Sequence, residues 1–196
     1  MKIFKIGIVL LVGIFISGSV YGQQTEQGIR DLMDNRDEQI KELMGPEGME
    51  YTENQRGQLK EIINGIIDFE AMAKEALAET FDTISAEKRT EFVDLFSTIV
   101  RDQSLNKLDI YRAKVTYNTI EVEGKNARVE TLAELDNIRT PVNYEMTFKN
   151  DEWVIVDMEI DDVSTASSYN RQFQRIIRQK GFESLMNSLR KRAERA

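Results

Sequence analysis

The segment from Pro141 to Phe173 leaves a folding chain few choices. Val142, Tyr144, Met146 and Phe148 alternate with Asn143, Glu145, Thr147 and Lys149, the period-two spacing of a strand with one apolar face. Asn150-Asp151 supplies a turn, and Trp153 to Ile160 returns as a second strand. A corner at Asp161-Asp162-Val163-Ser164 then leads to a helix expected to open around Ser168-Tyr169-Asn170-Arg171-Gln172-Phe173. So large an apolar face, on a chain with little catalytic equipment, predicts a surface that holds an apolar ligand.

The pattern before this hairpin is helical first and extended later. A helix is expected from about Thr25 to Met44, closed by Gly45-Pro46-Glu47-Gly48. Thr52 and Gln55 have capping-box spacing and open a helix with Leu59, Ile62, Ile63, Ile66 and Ile67 on one face. Asp68 caps the next, which carries Phe69, Met72, Ala73, Ala76, Leu77 and Phe81. Ser85 caps a long helix with Phe92, Leu95, Phe96, Ile99 and Val100, bending near Gln103-Ser104 before Leu108 and Tyr111. The period then changes. Val115, Tyr117 and Thr119 alternate, and a phase slip to Ile120 and Val122 predicts a bulge. Glu123-Gly124-Lys125-Asn126 turns into a strand from Ala127 to Leu135, and Asn137 to Pro141 reads as a connection. Helices first, four antiparallel strands next and closing helices last make an α+β fold: a helix-wrapped, curved sheet similar to the nuclear-transport-factor-like cone.

The amino terminus reads as a targeting segment. Lys2 and Lys5 precede an apolar or glycine run from Ile6 to Ile16, and Val20-Tyr21-Gly22 provides small residues for cleavage. That run is about half of the ~20 residues needed to span a bilayer. The expected division is a cleavable signal peptide over 1–22 and one domain over 23–196. With no cysteine, an exported chain has neither a disulfide nor a thiol for a lipid anchor. Residues 171–196 hold eight basic and two acidic side chains, whereas residues 23–170 hold 16 basic and 32 acidic. An acidic body of this kind argues against nucleic acid as a partner and is repelled by an anionic membrane. The basic end is either ordinary helix-end solvation or a docking patch.

The absence of both His and Cys removes imidazole bases, Ser-His and Cys-His nucleophiles and the common zinc sites. No glycine-rich phosphate loop occurs. Asp157, Glu159, Asp161 and Asp162 cluster at a strand end; they read as a solvated edge with a helix cap, since the spacing lacks the pattern of a calcium loop. The aromatic residues Tyr111, Tyr117, Tyr144, Trp153, Tyr169 and Phe173 gather on or beside the sheet, where they serve either as core or as the wall of a pocket.

Val163-Ser164, Tyr169, Arg171 and Phe173, then Ile176-Ile177 before Gly181-Phe182, form an ordered series. Upstream of it stand Asp68-Phe69-Glu70-Ala71-Met72-Ala73, Ala76-Leu77, Ser85, Glu91-Phe92, Phe96, Leu108, Tyr111 and Val115. From about Ile62 to Arg190 this order resembles the MlaC, or toluene-tolerance, family of periplasmic phospholipid shuttles. Ala78 and Phe81 stand where that pattern has Gly and Trp, and Ser168-Tyr169-Asn170-Arg171 replaces a tighter Asn-Tyr-Arg. The resemblance implies a periplasmic carrier with phospholipid as cargo and no cofactor; the side chains present predict no metal site, catalytic residue or enzymatic role, and an acidic soluble shuttle is expected to be a monomer. The resemblance also implies two partners, an inner-membrane ABC permease complex with its substrate-binding subunit and an outer-membrane lipoprotein complex, and a role in outer-membrane lipid asymmetry. The candidate lipid-binding residues are Tyr111, Val115, Tyr117, Val129, Tyr144, Met146, Trp153, Val156, Met158, Val163, Tyr169 and Phe173. Two other readings stand beside it: an exported interaction module without cargo, and an enzyme on the same cone acting on an apolar substrate through a carboxylate and a Tyr.

Overall fold

A computed structural model describes residues 24–105 and 108–195; the expected leader, 1–22, lies outside the described residues. Helix α1, Glu26–Met44, begins where Thr25 accepts a hydrogen bond from the Gly28 amide and ends at Gly45, φ +59°. Helix α2, Glu53–Asn64, opens on the expected capping box. It stops short of the expected Ile67. The Asn64 side-chain amide donates to the Lys60 carbonyl (2.8 Å) and to Ser104 (3.2 Å). Ile66 and Ile67 instead run alongside the sheet, where the Ile66 carbonyl accepts from the Ile155 amide (2.8 Å) and the Asp68 amide donates to the Ile155 carbonyl (2.9 Å). Apolar spacing alone cannot separate a last helical turn from a short extended segment of the same length.

Helix α3, Phe69–Leu77, is capped by Asp68, whose carboxylate accepts from the Ala71 amide and pairs with Lys149 at 2.9 Å. Ala78 breaks the helix at φ +47°, so Phe81 falls in a separate short helix, α4, Glu79–Thr83. Helix α5 spans Ala86–Leu105, and a 3₁₀ turn, Leu108–Arg112, follows the expected bend.

Strands β1 Lys114–Glu123, β2 Asn126–Leu135, β3 Ile138–Lys149, β4 Glu152–Ile160 and β5 Val163–Ser164 pair antiparallel in chain order. The sheet therefore has five strands, not the expected four, because the corner at Val163-Ser164 adds a short edge. Ile138 to Pro141 is strand and not a connection, since a two-residue turn at Asp136-Asn137 suffices. That turn, Asn150-Asp151 and Asp161-Asp162 all have both residues at positive φ, the geometry of type I′ hairpins. The predicted bulge in β1 is present between Tyr117 and Thr119; a second, in β4, leaves Val156 without a register partner.

Helix α6, Thr165–Lys180, starts three residues before the expected Ser168. Two caps set that start: Ser164 accepts from the Ser167 amide (3.0 Å), and buried Asp157 accepts from the Ala166 amide (2.9 Å). Helix α7, Phe182–Ala193, closes the described chain. The apolar interior forms three clusters. One is purely helical, from α3 to α7 with Phe92, Phe96, Tyr169 and Phe173. The second lies on the inner face of the sheet beneath the first turns of α1. The third joins the end of α1 to α2 and Leu108.

Candidate functional site

Register divides the inner face of the sheet into two halves. Toward the β1–β2 and β3–β4 turns, Ile120, Ala127, Val129, Met146, Phe148, Trp153 and Ile155 are buried. Ile29, Leu32 and Met33 of α1, together with Ile66 and Ile67, cover them. Toward the β2–β3 and β4–β5 turns the same face is unsealed. Val115, Tyr117, Ala133, Leu135, Val142, Tyr144 and Met158 are half-buried, while Ile138, Ile160 and Val163 are exposed. An antiparallel sheet commonly leaves one face wet, and the wet face is ordinarily polar. Here the polar outer face carries Arg128 paired with Glu130, Glu145 and Glu159, and the inner, apolar face is also open over half its length.

Three phenols mark the depth of this open half. Burial, and then the charge of Asp37, pushes Tyr144 up to about 12, yet the residue is only half-buried. Tyr117 is raised by burial and then by donating its hydroxyl to the Asp34 carboxylate at 2.8 Å; Arg30 of α1 stacks 4.6 Å from its ring centroid. Tyr111 is raised by burial and then by Tyr144, with a hydrogen bond to Ser104 working the other way. The three stand along the seam between the sheet cluster and the cluster of α1, α2 and the 3₁₀ turn. Neutral phenols offer rings and hydrogen-bond donors but no base. The carboxyl that burial raises, with Asp157 and Glu145 adding to the effect, is Glu75 on α3, outside this seam.

The structure brings together part of the expected site. Val115, Tyr117, Tyr144 and Met158 line the open half, Val163 lies on its rim and Tyr111 stands across the seam. Val129, Met146 and Trp153 belong to the sealed half, and Val156 sits at the bulge. Tyr169 and Phe173 are elsewhere, in the helical cluster against Phe96 and Phe92 with centroid separations of 5.0 and 5.7 Å. Sequence reasoning passed over Leu135, Ile138, Val142 and Ile160. Leu135, Val142 and Ile160 fall in the expected strands but were not counted among the candidates, and reading Asn137 to Pro141 as a connection hid Ile138, which register places on the same face. A groove of about 1090 Å³ between α1 and α2 is open and lined by Gln39, Glu42, Glu53, Asn54 and Glu61 beside Leu43 and Ile62; so many amides and carboxylates do not suit hydrocarbon.

A family model described as MlaC protein matches residues 34–191. The chain belongs to the MlaC family. Among solved structures, a phospholipid-binding protein from Ralstonia solanacearum, in complex with a phospholipid, is similar to it with a TM-score of 0.70 over 85% of this chain and 95% of that one. At 18% identity this likeness concerns the fold: mixed helices with an open, curved antiparallel sheet. No curated protein matches the sequence. The match to the MlaC pattern runs from Asp34 in α1 through nearly all of α7, so the open half-face falls within the family region, whereas Ile29, Leu32 and Met33, which cover the sealed half, precede it.

Proposed function

We propose that this protein is a periplasmic phospholipid carrier, exported by a cleaved leader and acting as a monomer. It passes lipid between an inner-membrane ABC-type complex and an outer-membrane lipoprotein complex, and so maintains the lipid asymmetry of the outer membrane. The observation that supports this reading is the unsealed apolar half-face, set within a family region whose fold is similar to that of a phospholipid-bound protein. No catalytic group is assigned. Lipid would lie with its tails along the sheet and its headgroup toward the β2–β3 turn, in water, so headgroup selectivity is expected to be weak.

Two acyl chains represent about 20–25 kcal/mol of shielding at ~0.8 kcal/mol per methylene. A half-face is not enough lining for that. Loading therefore requires α1 to move, withdrawing Ile29, Leu32 and Met33 from the sealed half and joining both halves into one channel. The thioethers of Met33, Met146 and Met158 can then repack around chains of different length.

Purification without detergent, followed by organic extraction and mass spectrometry, tests the reading. Close to one phospholipid per chain is expected, and none would overturn it. The filled sealed half favours one rival, a cargo-free interaction module, and the same measurement separates the two. Val142→Glu and Met158→Glu test the site itself at half-buried positions. Each should fold, by circular dichroism, and lose at least about ten-fold in bound lipid, because an unpaired charge against hydrocarbon is costly. Unchanged lipid in both would refute the placement.

A further inference from the structure

Five large apolar side chains are exposed among the described residues: Ile138 (68%), Ile110 (50%), Val163 (49%), Ile160 (46%) and Met49 (41%). They are not scattered. Ile138, Ile160 and Val163 lie at the open end of the sheet by register, and Ile110 belongs to the 3₁₀ turn that leads into the first residue of β1 at that end. Met49 lies in the loop that Arg112 ties to this 3₁₀ turn through the carbonyls of Gly45 (2.7 Å) and Pro46 (3.2 Å) and the hydroxyl of Tyr51 (3.0 Å). Apolar surface concentrated at one end of a fold marks an interaction site.

Charge selects the occupant. Asp136, Asp161 and Asp162 form the turns at this end, and among the described residues no cation pairs with them. Glu134 has Arg139 at 3.9 Å and Lys114 across the strand pair; Asp109 has Arg112 at 3.4 Å. A turn with positive φ accepts Asn or Gly equally well, so turn geometry does not call for three carboxylates. We propose that this end of the sheet is the docking face for a second protein whose contact surface is apolar and basic, engaged while lipid is handed over. A second copy of this chain meeting it face to face would set the same acids against each other, and an anionic bilayer would repel them. The proposal rests on the carrier reading for its purpose but makes its own demand on the surface.

The test uses the full chain in cells, with a photo-crosslinking residue at Ile138 or Ile160 and, as control, at exposed Gln172 on α6. The two rim positions should form an adduct with a different protein, mapped by mass spectrometry to a peptide rich in Lys or Arg and apolar residues; Gln172 should not. Combining Asp136→Asn, Asp161→Asn and Asp162→Asn keeps the turns and removes the charge; the adduct should fall by at least about five-fold, with the lipid content of the purified protein unchanged. Vesicles of phosphatidylethanolamine with phosphatidylglycerol should not carry the wild-type protein on flotation. Adducts with the protein's own chain, with lipid alone or with nothing, an adduct indifferent to neutralisation, or flotation with those vesicles would each overturn the docking face. Bound lipid without a heterologous adduct defeats this proposal and leaves the carrier standing; the adduct without bound lipid does the reverse.

Discussion

At Ala78 the backbone adopts φ +47°, ψ −135°, a region where a Cβ is strained by about 1–3 kcal/mol. Its amide is nevertheless held by the Lys74 and Glu75 carbonyls at 2.9 and 3.2 Å, so α3 enforces the turn. Ala78→Gly should stabilise the protein by roughly 1 kcal/mol, the relief exceeding the added freedom of the unfolded chain, and a thermal melt should rise by a few degrees. Tyr117 is a second informative residue, because its hydroxyl links the sheet to α1 through Asp34. Tyr117→Phe removes a hydrogen bond to a charged group that is partly exposed, worth about 1 kcal/mol; if α1 must lift for exchange, lipid transfer to acceptor vesicles should quicken by roughly five-fold. Single residues were legible in sequence where their role is local. The caps at Thr52, Asp68 and Ser85 bond within three residues. Tyr169 and Phe173 were not, because either side of an amphipathic helix can face a sheet or other helices, and only packing decides.

Elements were legible to the extent that their periodicity was uninterrupted. The β3–β4 hairpin followed directly from alternation, whereas Pro141 disguised the first residues of β3 and the Ile66-Ile67 pair hid a bridge to β4 inside a helical pattern. The loop joining α2 to α3 is the mechanical tie between helices and sheet, and Asp68 holds it. Burial opposes the Asp68 charge, but the Ala71 amide and Lys149 outweigh it and lower its pKa. A carboxyl lowered in the fold contributes its full stabilisation above its unfolded pKa of about 3.9 and loses it as pH falls through the folded value. Asp68→Ala should therefore cost about 1–2 kcal/mol at neutral pH, through cap and ion pair together, and that gap should close in acid. Urea unfolding of both proteins across that range measures it.

The whole molecule divides its work between two interiors. The helical cluster, with stacked Phe92 and Phe96 at 5.8 Å, takes no part in the open half-face, while the sheet cluster depends on α1 for its cover. Removing lipid should consequently lower the melting temperature by several degrees and change amide exchange in α1 and β1, leaving α5 and α7 unchanged; hydrogen–deuterium exchange on loaded and stripped protein distinguishes these regions. The topology also has a temporal consequence. Each of the first four strands pairs with its neighbour in the chain, so hairpins can zip in succession with little loop to close. The helical cluster instead joins residues far apart, as where Gln174 donates to the Leu77 carbonyl at 2.8 Å. Local pairing precedes distant pairing when loop entropy governs the rate. During refolding the greasy concave sheet would thus exist for a time without its helical wrapping, a nascent species prone to clump and in want of a chaperone.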